Sequence, residues 1–217
     1  MNHLHKALPA CKGQAKIGLF GGTFDPPHWG HLWLAELARV QFNLAQVLFL
    51  PVGDPVHKQG NAITAVSHRL KMVSLAIQDN PYFVLDKTDC NRPAPHTTVT
   101  LLPILQQTYL QSEFWLLMGG DSLRDLPTWA EPNELIQQCR LGVLLRPGVA
   151  IDLDSLETAV PGIKAAVDLL AGPTLSISAT AIRSWVQTGQ NPTYLLPTAV
   201  AKYIHQHQLY KKSIGHQ

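Results

Sequence analysis

Lys16-Ile-Gly-Leu-Phe-Gly-Gly-Thr-Phe-Asp-Pro-Pro-His-Trp-Gly-His-Leu32 is the stretch on which the reading of this chain turns. Its apolar run Ile17–Phe20 predicts a short buried strand that stops at Gly21-Gly22, where the backbone can turn tightly and lie against a ligand. Pro26 and Pro27 exclude helix interior before His28, while Leu32, Ala35, Leu37, Ala38 and Phe42 recur at helical spacing beyond it. Strand, glycine turn and helix N-terminus therefore follow one another. That order presents free backbone N–H groups and the positive end of a helix dipole, which together suit phosphate. His28 and His31, at i and i+3, share a face of the first helical turn and can donate to one anion.

Working outward, Val47–Val52, Tyr82–Leu85, Phe114–Met118, Leu141–Leu145 and Val167–Leu170 read as further short strands. Between them lie helical patterns. Val66, Leu70, Val73, Leu75 and Ile77 mark one, and Thr97 or Thr98 can cap another running to about Leu110, kinked or started late by Pro103. Ser178 caps a helix over Ala179–Gln187 that Gly189 stops, and Ala199–His207 forms the last. Strands apolar on both faces, alternating with helices, predict an α/β fold with a parallel sheet covered on both sides. Ligands of such sheets bind beyond the carboxyl ends of the strands, where Gly21, Gly53, Gly119 and Arg146 fall. Residues 1–15 lack periodicity and read as a flexible leader, residues 16–210 as one domain, and residues 211–217 as a tail.

A chain of 217 residues suffices for one well-buried core and hardly for two. With 46% apolar and 15% charged residues it falls in the globular class, and a net charge of +2 gives no electrostatic case for a nucleic-acid partner. Cys11, Cys90 and Cys139 are odd in number and far apart, so they imply neither a disulfide framework nor a zinc ribbon, and a reducing cytoplasm fits them. No apolar run approaches the roughly 18 residues of a membrane span.

Both G-x-G-x-x-G and G-x-x-x-x-G-K-[ST] are missing, so phosphate must be held in another way. His28 and His31 could bind zinc, but no third ligand is placed near them and a catalytic zinc site wants three. The glycine turn before them favours phosphate. Lys58 could reach a phosphate as a point charge or be an ordinary solvated loop lysine. Gly120-Asp-Ser-Leu123 spells the label of the GDSL esterases, with Ser122 as nucleophile and Asp25-Pro-Pro-His28 imitating their D-x-x-H. In those hydrolases the serine block comes first; here the order is reversed.

Gly21-Gly-Thr-Phe-Asp-Pro-Pro-His-Trp-Gly-His-Leu32 closely resembles the signature of the HxGH nucleotidyltransferases, and among them the bacterial nicotinate-nucleotide adenylyltransferases. Thr174-Leu-Ser-Ile-Ser-Ala-Thr-Ala-Ile-Arg183 resembles the same family's I-S-x-T-x-I-R. Supporting pieces are Leu50-Pro-Val-Gly-Asp-Pro-Val-His-Lys58, the R-x-x-M of Arg69 to Met72, read as packing, and Gly119-Gly-Asp-Ser with Trp129 downstream. The likeness runs from Lys16 to Tyr210 and departs at Pro95-His96-Thr97-Thr98, where the family has a serine-tyrosine-threonine run. A Rossmann-like fold is implied, with Gly21, Gly22, Thr23, Phe24, His31, Gly119, Asp121, Arg146, Ser178, Thr180 and Arg183 around ATP. Thr23, Thr97, Thr98 and Trp129 would hold nicotinate mononucleotide, and His28, His31, Lys58 and Arg183 would act on the reacting phosphates. Mg²⁺ would travel with ATP, and no metal would be held by the protein itself. The implied reaction moves AMP from ATP to nicotinate mononucleotide, releasing pyrophosphate. Nicotinamide mononucleotide or phosphopantetheine as acceptor, or a module that binds nucleotide without turnover, are the other readings that the residues allow.

Overall fold

Six strands form one parallel sheet: β1 (Ala15–Gly22), β2 (Gln46–Pro51), β3 (Phe83–Leu85), β4 (Ser112–Gly119), β5 (Arg140–Leu144) and β6 (Val167–Leu170). The computed structural model describes residues 14–53, 63–145 and 151–211; the expected site residues Lys58 and Arg146 lie outside them. Strand order is β3-β2-β1-β4-β5-β6, which reverses direction between β1 and β4. This is the doubly wound order of the Rossmann-like class.

The strand pattern explains why the sheet is covered on both sides. Successive side chains of a strand point to opposite faces. On one face Ile17, Leu19, Leu48, Leu50, Phe114, Leu116 and Met118 join a buried cluster, and on the other Phe20, Val47, Phe49, Trp115 and Leu117 join a second. Helices α1 (Trp29–Gln41) and α2 (Val66–Ile77) cover the second face through Leu34, Ala35, Ala38, Val73 and Ile77. After the single turn α3 (Thr88–Asn91), the first face is covered by α4 (Thr98–Thr108), α5 (Gly120–Asp125), α6 (Pro132–Gln138), α7 (Leu153–Ala159) and α8 (Ile163–Ala166). The last helices, α9 (Ala179–Gln187) and α10 (Thr198–Gln206), form a third cluster with Met72 of α2 through Ile182, Leu196, Val200 and Ile204.

Several expected boundaries move. Ala15, read as part of the leader, already pairs with Ser112 in the sheet, and β4 runs on from Met118 to Gly119. Pro103 neither delays nor ends α4; it sits on the exposed side, where water can satisfy the carbonyl that its missing N–H leaves free. Thr97 occupies the N-cap without a side-chain capping bond, because its hydroxyl pairs with that of Thr100 at 2.8 Å. The short helices α5 to α8 carry little periodic signal and went unread, since each spans too few turns to show one.

Leu102, fully buried on α4 beneath the segment that carries Thr97 and Thr98, tests this packing. Leu102→Ala is expected to destabilise the chain by about 2–5 kcal/mol, read as a lower urea midpoint with an unchanged slope.

Candidate active site

The carboxyl ends of β1 and β4, adjacent strands whose chains leave toward opposite faces, open a cleft of about 490 Å³. Gly21 is the last residue but one of β1 and Gly119 the last of β4, and a Cβ at either would meet nothing within 4 Å, so both backbones are open to an occupant. The cleft is lined by Gly21, Gly22, His28, His31, Thr98, Gly119, Asp121, Trp129 and Ser178 from the expected set. A smaller cavity of about 50 Å³ shares Gly21 and Thr98 with it and adds Thr97.

His28 is the N-cap of α1, and neither α1 nor α9 has an acidic residue in its first turn. Both helix starts border the cleft, through Gly30 and His31 on one side and Ser178 and Ala179 on the other, with no carboxylate of their own in the first turn to neutralise the positive ends. The two histidine rings stack with centroids 3.6 Å apart and planes 22° from parallel. The His28 N–H donates to His31 Nδ1 at 3.1 Å, so a neutral His31 carries its proton on Nε2 and is a donor there. Edge-on contacts from Phe20 and Phe24 fix the His31 ring from behind. Phe24, expected among the ATP contacts, spends its ring there and is 2% exposed. A Cβ at Gly30 would stand 3.0 Å from His28 Nδ1, so a glycine between the histidines lets the ring lie down on the helix.

Burial lowers the His28 pKa from 6.5 to about 4, and burial together with the charge His28 would carry lowers that of His31 further below its usual range. Both rings are therefore neutral at physiological pH. His28 Nδ1 is buried without a hydrogen-bond partner among the described residues.

The remaining expected residues divide between cleft and scaffold. Arg183 donates from Nη1 to the Asp25 carbonyl at 2.7 Å and from Nη2 to Thr180 Oγ1 at 3.3 Å, which ties α9 to the loop before His28. Neither it nor Thr180 lines the cleft among the described residues. Gly119 is the N-cap of α5, and Asp121 lies inside that helix and pairs with Arg124. Trp129 is half-buried, one side against the core and one on the cleft. Ser122 also lines the cleft, but among the described residues no hydrogen bond joins it to a histidine, so the esterase reading lacks its base.

Arg69 is the residue whose role the sequence hid. Read as packing, it is instead a guanidinium 1% exposed that donates to the carbonyls of Thr64 at 2.9 Å, Thr23 at 3.0 Å, Val52 at 2.8 Å and Gly53 at 2.6 Å. It clasps the loops after β1 and β2 together. His96, at the point of departure from the family pattern, lines both cavities beside Asp89, whose carboxylate is held by Arg92 at 2.7 Å. Arg92 also donates to the carbonyls of Pro95 and Thr97, which sets the course of this loop.

A Rossmann-like sheet with a phosphate-suited cleft at its point of reversal defines the class, and residues 19–184 match the family model described as cytidylyltransferase-like. A Thermomicrobium roseum protein named "Probable nicotinate-nucleotide adenylyltransferase" is 45% identical over 91% of this chain and 92% of its own length. A Roseiflexus protein of the same name is 41% identical over 91% and 98%. The chain belongs to this family, the nicotinate-nucleotide adenylyltransferases of the cytidylyltransferase-like class. Its fold is also that of the Plasmodium falciparum nicotinic acid mononucleotide adenylyltransferase, solved in complex with NaAD, at a TM-score of 0.73 and 19% identity over 91% of this chain and 98% of the other.

The buried histidines make stability pH-dependent. Because the folded His28 pKa lies below 6.5, the unfolded chain binds more protons between pH 6.5 and about 4, so stability is complete above 6.5 and falls as pH drops through that window. His28→Gln is expected to flatten the acid side of the Tm–pH profile by up to about 3 kcal/mol, measured from pH 7.5 to 4.5. A profile as steep as the wild type would show that His28 is not held neutral.

Proposed function

We propose that this protein transfers AMP from ATP to nicotinate mononucleotide, forming nicotinate adenine dinucleotide and releasing pyrophosphate. The observation that carries the reading is the pair of neutral, stacked histidines at the start of α1, facing the start of α9 across the cleft. Relatives at 41–45% identity carry the name of this activity.

The chemistry follows from what these residues can do. The acceptor phosphate is already an anion, so in-line attack on the α-phosphorus needs no general base and no protein nucleophile. What it needs is positioning, and donors aimed at oxygens on which charge develops. His31 Nε2–H, the His28 ring and the N–H groups opening α1 and α9 form such a set on a fixed frame. A neutral imidazole suits this task, because it donates without drawing in a counter-ion that the incoming triphosphate would have to displace. As polyphosphate charge arrives, it favours protonation of His28 and so strengthens the same bonds.

Gly21, Gly22 and Thr23 would lie along the nucleotide, and Asp121 near a ribose hydroxyl. Trp129 offers a flat face to the pyridine ring, and the backbone at Thr97 and Thr98 borders the small cavity in which its substituent would rest. Arg183 and Thr180 act through the frame in this arrangement; Lys58 and Arg146 are proposed at the phosphates on the family resemblance. Among the described residues no group of three His, Cys, Asp or Glu side chains could grip a metal. Mg²⁺ carried on ATP would keep water and phosphate oxygens as ligands and neutralise the departing pyrophosphate.

Pyrophosphate release from ATP and Mg²⁺ with nicotinate mononucleotide, run beside the nicotinamide form and phosphopantetheine, tests the assignment. Selective release with the nicotinate form is expected, and release only with another acceptor would move the substrate. His28→Ala and His31→Ala should each lower kcat by about a hundredfold or more, the usual cost of losing a transition-state donor. Wild-type turnover in both would remove the role given to the pair.

A further inference from the structure

Tyr210 lies after α10, beyond residues 19–184 that match the family model, yet its side chain reaches the loop before His28. Its hydroxyl donates to Asp25 Oδ1 at 2.6 Å and lies 3.8 Å from Met72 Sδ. The backbone bends to allow this. Gln208 and Tyr210, neither of them glycine, both adopt left-handed conformations, with φ of 51° and 65°. Such residues are disfavoured unless their surroundings hold them, and here the Tyr210 ring packs into the cluster of Met72, Ile182, Val200 and Ile204.

Asp25 is 5% exposed, and its polar groups are engaged by three distant segments. Oδ1 accepts from Tyr210, Oδ2 accepts from the Thr64 N–H at 3.1 Å, and the carbonyl accepts from Arg183. Burial and the neighbouring Asp25 charge push the Tyr210 pKa upward, so the phenol stays a donor over the whole working range. Three residues after Asp25 comes His28, whose N–H orients His31.

We infer that Tyr210 is a positioning residue for the phosphate site, a latch by which the C-terminal turn fixes the Asp25 loop and, through it, the histidine pair. The inference rests on the phosphate site described above and not on which acceptor the protein uses. Its action falls chiefly on the nucleotide side of the cleft: of the acceptor-side residues only Thr23 is on the loop that Tyr210 holds, whereas Trp129, Thr97 and Thr98 stand on the turn after α5 and at the start of α4, elements to which Tyr210 makes no hydrogen bond among the described residues.

The test compares the full-length wild type with Tyr210→Phe, which removes one oxygen and keeps the ring in its apolar cluster. ATP affinity is read by calorimetry, the KM of nicotinate mononucleotide by pyrophosphate release, and Tm by scanning calorimetry. ATP binding is expected to weaken by about fivefold or more while the acceptor KM stays within about twofold, a split that general loosening of the fold would not give. Asp25→Asn in the Tyr210→Phe background should add less than its effect alone, since both act through one contact. Unchanged ATP affinity with a lower Tm would reduce Tyr210 to a structural residue, and equal weakening of both substrates would overturn the latch as well. A wild type that binds ATP but shows no transfer would overturn the proposed reaction alone, leaving the ATP comparison to decide the latch. A wild type that binds no ATP would overturn both.

Discussion

A parallel strand must be followed by a crossover, and crossovers in one sheet are right-handed, so the side from which a chain leaves a strand decides which face its helix covers. Here the chain leaves β1 toward α1 on one face and β4 toward α5 on the other. No connection can cross the gap between those two neighbouring strand ends. The opening at Gly21 and Gly119 is thus a consequence of strand order, and it exists before any side chain is chosen. Everything that gives the opening chemical character is then arranged around it: the start of α1, the start of α9 brought over by the last helices, and the loops after β1 and β2.

Those loops are held by groups that could not be left alone in the interior. A buried guanidinium or carboxylate is costly unless its hydrogen-bonding capacity is met, so Arg69 and Asp25 oblige the surrounding backbone to come to them. Arg69 draws in the carbonyls of Thr23, Val52 and Gly53, and Asp25 gathers Thr64, Arg183 and Tyr210. Both sit by the loop that leads to the histidine pair, where they tie five separate stretches of chain into one wall. The rigidity of that wall is what permits His28 and His31 to remain stacked and uncharged in front of it.

The parts that could be read from the chain are those whose cause is local. The inner strands β1, β2, β4 and β5 are legible because both their faces are buried, which leaves an apolar run, and Val167–Leu170 and Ala179–Gln187 fall where expected. The histidine pair was legible because glycines, prolines and histidines sit within one continuous stretch. Arg69 was not, since four carbonyl partners spread over the connections β1–α1 and β2–α2 leave no spacing to recognise. Arg183 was legible as a candidate in its motif, but its bond to the Asp25 carbonyl was not, the partner being 158 residues away. Tyr210 belongs to the same group: its partner is 185 residues earlier, and only the folded chain brings them together.

The sheet ends in its two shortest strands, β3 with three residues and β6 with four. An edge strand offers unpaired N–H and C=O groups to any extended chain that passes, and the hazard grows with its length. Two three- to four-residue edges leave little for a foreign strand to zip onto. Within β6, Asp168 holds the Arg140 guanidinium of β5 through two bonds and accepts from Trp115 Nε1 of β4, which puts an ion pair on the face of this edge strand in place of an apolar surface. The same brevity that makes the outer strands marginal contributors to the core therefore leaves little template for amyloid-like stacking at either edge of a strongly apolar sheet.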